Sequence, residues 1–185
     1  MSKNGQKITV SDGVIGDKVD ADKRGNFYSP SKGYMNTAKM VADIADFIDE
    51  APGSFYRIII GSDSQSKHVN GTAEIDFVTA VVVHRKGNGG RYYWQKERIT
   101  KKPILRDKIY TETLMSLDCA ERVVPVIRES IKPDKYDLEI HIGVGALGPT
   151  RDLIREVVGM VQGNGYTAKT KPDGWAASSV ADRHT

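Results

Sequence analysis

Apolar positions along this chain switch between helical and strand spacing, and the order of the switches predicts its elements. Met40, Val41, Ile44, Phe47 and Ile48 recur at three- and four-residue intervals within 36–50. That spacing predicts a helix capped by Asn36 or Thr37 and ended by Pro52-Gly53. Ile58, Ile59 and Ile60 form a short β-branched run that stops at Gly61, followed by an expected loop over 64–71. Residues 75–84 are apolar on both alternating faces, as in a strand covered on both sides. Gly87-Asn88-Gly89-Gly90 reads as a hairpin turn into an edge strand over 91–100. A long helix is predicted over 105–130, with Ile109, Leu114, Leu117, Ala120, Val124 and Ile127 as its core stripe. Pro125 is expected to kink or interrupt it. Residues 136–144 alternate Leu138, Ile140 and Ile142 against Asp137, Glu139, His141 and Gly143, the mark of another strand. A helix through Val161, a short strand over 166–170 and a helix over 174–183 complete the chain.

A meander of three strands followed by α/β crossovers gives the order β-β-β-α-β-α-β-α behind an N-terminal helix. The expected architecture is α/β, a mixed five-stranded sheet flanked by helices in the ribonuclease-H-like arrangement. Residues 1–33 carry few apolar anchors and read as a flexible arm, leaving 34–185 as a single domain.

Composition narrows the function classes. No apolar run reaches the length of a membrane span and the start is polar, so a cytoplasmic protein without a membrane role is expected. Cys119 is the single cysteine, which excludes an internal disulfide and a cysteine-based zinc site. Net charge is only +3, yet residues 85–108 hold nine Lys or Arg against two acids. Tyr92, Tyr93 and Trp94 lie within that stretch, and Lys96 and Arg98 beside them. Basic residues interleaved with aromatics suit phosphates and exposed bases, and they equally suit a solvated edge strand guarded by lysines.

Asp63 is the sharpest chemical candidate. It follows the isoleucine run by three residues, between Ser62 and Ser64, with Gln65 next. An acid at the end of a buried strand is costly unless something binds it. A metal or phosphate site and an ordinary Gly/Ser/Asp turn both fit the local pattern. Ser62, Ser64 and Gln65 are candidates to bond phosphate oxygens or to orient Asp63. Thr150 and Arg151 follow Gly148-Pro149, where a hydroxyl, a guanidinium and free backbone N–H groups can meet a phosphate or simply cap a helix.

Ile60-Gly61-Ser62-Asp63-Ser64-Gln65, the segment 141–150, and Lys171-Pro172 through Val180-Ala181-Asp182-Arg183-His184-Thr185 resemble the YkuK-type family of uncharacterised bacterial proteins. The resemblance runs from about Phe27 to the C-terminus. It implies a ribonuclease-H-like nuclease with four carboxylates: on the first strand, the first crossover helix, the fourth strand and the last helix. Carried over, these are Asp63, Glu112 (with Asp118 and Glu121 as rivals) and Asp182. The third position departs from the pattern, because Gly143 stands where the family reads an acid.

Such a site cleaves phosphodiesters with two divalent ions about 4 Å apart, and Mg²⁺ or Mn²⁺ prefers hard carboxylate oxygens. With one acid missing, weaker or single-ion binding is expected. His141 and His184 are further candidates as nitrogen ligands or proton carriers. The leading expectation is a metal-dependent nuclease acting on RNA, DNA or a hybrid, or a member of that family whose activity is impaired by Gly143. The alternatives are a nucleic-acid-binding module without hydrolysis and a metal-dependent phosphatase for small phosphoesters.

Overall fold

The computed structural model describes residues 26–100, 104–145 and 150–184. In chain order the elements are β1 (Phe27–Ser29), β2 (Gly33–Met35), α1 (Thr37–Asp49), β3 (Tyr56–Val69), β4 (Thr72–Arg85), β5 (Gly90–Thr100), α2 (Leu105–Ser130), β6 (Tyr136–Gly145), α3 (Ile154–Gly163), β7 (Thr167–Lys171) and α4 (Ala176–His184). The expected order from the meander onward is therefore present, from β3 to α4. The sheet has seven strands rather than five, in the order β2-β1-β5-β4-β3-β6-β7. Its β3–β6 and β6–β7 pairs are parallel, and the others are antiparallel.

The two extra strands come from the end of the predicted arm. Phe27 is fully buried and Tyr28 pairs with Trp94, so β5 gains a short neighbour where an edge was expected. The first 25 residues of that arm lie outside the described residues.

Alternation splits the sheet into two faces. Ile58 and Ile60 join the large core built with α1, α2 and α3, while Ile59 joins a smaller one with Val78, Ala80, Val82 and the α4 residues Ala176, Val180 and Ala181. Each extra pair of strand residues therefore feeds both layers, which explains the apolar stretch of β4.

The long helix matches its expected bounds but not its expected stripe. Ile109, Glu112, Thr113, Ser116, Cys119, Ala120, Val123, Val124 and Ile127 face inward, and Leu114 is 55% exposed. Pro125 does not interrupt α2; it lies on the exposed side, where its missing N–H leaves no buried carbonyl unpaired. The stripe carries a carboxylate, Glu112, into the interior.

The meander is longer than its apolar run. The expected loop over 64–71 is instead strand up to Val69, closed by Asn70 and Gly71, both at positive φ (52° and 80°). Two consecutive left-handed residues are the backbone of a type I′ hairpin turn, which Asn-Gly adopts readily.

At the other end of the sheet, α1 is tied to β5 by a buried carboxylate. Asp43 accepts from the Tyr93 hydroxyl at 2.5 Å and pairs with Arg91 at 3.0 Å and Lys32 at 2.5 Å. Burial works against the charged form, but these donors hold Asp43 below the usual carboxylate range. Asp43→Ala should destabilise the protein by about 2 kcal/mol, because it strands the buried Tyr93 hydroxyl and leaves Arg91 with Glu50 as its one carboxylate partner. A urea midpoint unchanged from that of the unsubstituted protein would refute this.

Candidate active site at the β3–β6 divergence

The site forms where a parallel pair comes apart. β3 and β6 are in register from Tyr56↔Tyr136 to Gly61↔His141. Beyond that rung β3 continues against β4 alone, and β6 continues against β7 with an irregularity between Ile142 and Gly145. Asp63 and Gly143 are the second residues past the last shared rung, one on each side of the opening. Crevices beyond the carboxyl ends of parallel strands are where open α/β sheets bind ligands.

Glu112 reaches into this opening from α2. Its Oε1 accepts from the Ser64 hydroxyl at 2.5 Å, and its Oε2 lies 3.8 Å from the position a Gly143 Cβ would occupy. Glu112 therefore bridges the two diverging strands. Asp63 lies beside it, with one carboxylate oxygen taking the Ser64 backbone N–H at 2.8 Å. Asp182, exposed on α4, is near enough to act on the Asp63 charge. The rivals on α2 point elsewhere: Asp118 is exposed and paired with Arg122, and Glu121 is exposed.

The electrostatics of this cluster follow from burial and crowding. Burial pushes Glu112 up to about 7, the neighbouring Asp63 charge adds to the rise, and Ser64, Lys108 and Lys171 oppose it. Asp63 is also raised, first by burial and then by Asp182, against the Ser64 amide, Lys171 and Lys108. Among the described residues, no three His, Cys, Asp or Glu side chains already converge as a metal-ligand cluster.

The β3 side chains beside Asp63 differ in what they touch. Ser62 is buried and hydrogen-bonded to Thr79 at 2.8 Å and to Ser116 at 3.0 Å, so it locks β3 to β4 and α2 and cannot meet a phosphate. Ser64 orients Glu112. Gln65 stays exposed, opposite Asp76 in the ladder.

Lys96 and Arg98 sit on the Asp63 face, both on β5, two strands across from β3. The rungs there read Asp63–Val78–Lys96 and Gln65–Asp76–Arg98. Both cations converge with Lys67 on Asp76, which is 1% exposed, at 2.6 to 2.9 Å. Burial opposes the Asp76 charge, but the three donors hold its carboxyl far below the usual range. Thr150 accepts the Gly145 N–H at 3.3 Å, and Arg151 is exposed at the start of the turn before α3.

The histidines are committed too. His141 is buried, its Nε2 lies 3.1 Å from Glu139, and its Nδ1 accepts the backbone N–H of Ala176, the first residue of α4. The ring is thus neutral with its proton on Nε2, and it has no free nitrogen for a metal. His184 stacks on Trp94 at 4.3 Å and meets the Tyr92 hydroxyl, away from Asp63. Sheet alternation had suggested that a histidine two residues from Gly143 would face the site. The packing of α4 claims it instead.

His141 has a testable consequence. Burial lowers its pKa against the pull of Glu139, so the fold favours the neutral ring. Its contribution is present above the ordinary histidine range and is lost as pH falls. Acidification from about pH 8 to about pH 5 should therefore weaken hydrogen-exchange protection across α4 before the core strands respond. Equal loss in α4 and β4 would rule out a local role.

Sequence reasoning missed Lys108 and Lys171. Lys108 lies one turn before Glu112 and donates to the Ser64 carbonyl at 3.4 Å. Lys171 ends β7, opposite Gly145. The i, i+4 spacing of Lys108 and Glu112 was visible in the chain; the position of Lys171 needed the β6–β7 register.

The β-β-β-α-β-α-β-α order from β3 to α4 over a mixed sheet is consistent with a ribonuclease-H-like fold, and the chain belongs to that family: the family model described as Ribonuclease H-like matches residues 39–185. It is similar to the uncharacterized protein YkuK of Bacillus subtilis (strain 168), 33% identical over 170 residues that cover 86% of this chain and 96% of that protein. No solved structure matches. Among the described residues, no helix is long and apolar enough to cross a membrane.

Proposed function

We propose that this chain is a metal-dependent nuclease that hydrolyses phosphodiester bonds of nucleic acid in the β3–β6 crevice. The observation carrying this reading is the Asp63–Glu112 pair, two carboxylates from distant elements that each meet Ser64 and lie near enough for the Asp63 charge to act on Glu112, in a ribonuclease-H-like fold. Burial keeps both acids high, with Asp63 adding to the rise of Glu112 and Asp182 to that of Asp63, which is the electrostatic mark of a site suited to a cation.

The donor set fits a hard divalent ion. Asp63, Glu112 and Asp182 offer carboxylate oxygens alone, because both histidines are engaged elsewhere, so Mg²⁺ or Mn²⁺ suits the site. Such an ion, when bound, supplies Lewis acidity toward the scissile phosphate. Ser64 fixes the Glu112 carboxylate, and the buried hydroxyls of Ser62, Thr79 and Ser116 hold strand and helix at a constant distance. Lys67, Lys96 and Arg98, gathered on the same face, suit the flanking phosphates of a bound strand, with Gln65 and Arg151 at the margins.

Gly143 favours a second reading, a nucleic-acid-binding module that keeps the face and has lost the chemistry. Labelled single-stranded, duplex and hybrid oligonucleotides incubated with Mg²⁺ or Mn²⁺, with and without EDTA, separate the two. Cutting that EDTA abolishes is the expected result. Salt-sensitive binding with no cutting in any metal would replace the nuclease with the module.

A further inference from the structure

Two features of the crevice stand on the same side. Gly143 leaves an open position: a Cβ there would meet nothing nearer than Glu112 Oε2, at 3.8 Å, so a side chain could start there without a clash and this chain provides none. Lys171 ends the strand on that side, opposite Gly145 and just past the irregularity after Ile142. It is exposed, and its charge acts on both Asp63 and Glu112. Lys108 approaches the same pair from α2 but is tied to the Ser64 carbonyl.

The charge count is the deciding quantity. With all three acids ionised, as metal binding requires, three carboxylates and two ammonium groups leave the crevice with one net negative charge. One dication reverses that modestly, while a second would be held close to the first and to Lys171 with no Gly143 carboxylate between them.

We propose that this crevice binds one divalent ion rather than two, and that the Lys171 ammonium grips the substrate's phosphate on the Gly143 side, where a second ion would otherwise stand. The inference rests on the nuclease reading and names how its site holds substrate. Lys171 is then a substrate-binding cation that repels metal and attracts phosphodiester, two effects of opposite sign from one side chain.

The test is calorimetric titration of Mn²⁺ into the full chain and its Lys171→Met, Lys171→Arg and Gly143→Asp/Lys171→Met variants. A fluorescent single-stranded oligonucleotide is titrated in EDTA in parallel. The expected results are one Mn²⁺ per chain, about tenfold tighter Mn²⁺ binding in Lys171→Met with about tenfold weaker oligonucleotide binding, and recovery of both by Lys171→Arg. The double variant should bind two Mn²⁺. A residue that only supported the fold would weaken both ligands together, and that outcome overturns the proposal. Two Mn²⁺ per unsubstituted chain would overturn it while leaving the nuclease intact. No Mn²⁺ binding at all would remove the nuclease reading and this inference with it.

Discussion

Asp63→Asn is expected to reduce metal-dependent cleavage by about a thousandfold or more, equivalent to about 4 kcal/mol of lost transition-state stabilisation. Asn is nearly isosteric and retains an oxygen for the Ser64 backbone N–H, so the local geometry has little reason to change. What is lost is the anion. Asp63 lies past the point where β6 departs, on the face that α4 and Lys96 share, so no other described carboxylate can take its place from the same strand. Because burial and Asp182 raise the Asp63 pKa, the fold gains nothing from its charge, and the variant should unfold no more readily than the parent. Initial rates on a labelled oligonucleotide, beside a thermal melt, check both halves. Residual cleavage within about tenfold of the parent would move the reaction away from this crevice.

Glu112→Gln should separate function from stability even more sharply. The Glu112 carboxyl titrates at about 7 in the folded protein against an ordinary value of 4.5. A carboxyl raised on folding contributes stability that is complete below the unfolded value and lost as pH climbs through the folded one. At neutral to alkaline pH the ionised group therefore costs about 3 kcal/mol, which Gln avoids while still accepting from Ser64. The variant and parent should be nearly equal at about pH 4, and the variant should grow more stable between there and about pH 8. Cleavage moves the other way, because the amide cannot hold a hard cation, and a loss of about a hundredfold or more is expected. In the parent, activity at low Mg²⁺ should rise through about pH 7 as Glu112 loses its proton, and saturating Mg²⁺ should shift that rise to lower pH. Denaturant midpoints at several pH values and a pH–rate profile measure the pair of effects. Equal stability at all pH values would mean that Glu112 is not carrying a buried charge.

Both expectations depend on neighbours that the chain alone did not reveal. Glu112 and its rivals Asp118 and Glu121 all lie on α2, and helical spacing cannot rank them while the inward face is unknown. The stripe drawn through Leu114 was one such misreading. The inward positions of its first half run Ile109, Glu112, Thr113, Ser116 and Cys119, three of the five polar, because that part of α2 meets the serines of β3 rather than its isoleucines. Ser62 and Ser64 share one face of β3 and differ only in depth, yet one is a buried tie and the other orients a carboxylate. His141 and His184 looked available because their partners, Ala176 N–H, Trp94 and Tyr92, lie 35 to 92 residues away.

What the amino-acid order determined by itself is the sequence of elements from β3 to α4, the bounds of the long helix and the position of Asp63 just past the isoleucine run. These are local properties, carried by period-two and period-3.6 patterns and by single residue identities. Tertiary structure alone decided where the β3–β6 pair ends, which face of α2 turns inward, that β1 and β2 extend the sheet, and that Lys108 and Lys171 flank the carboxylates. Each depends on pairing register and packing between distant segments. A strand's own pattern tells which residues share a face, but not where its partner leaves it, and that departure is what opens the crevice.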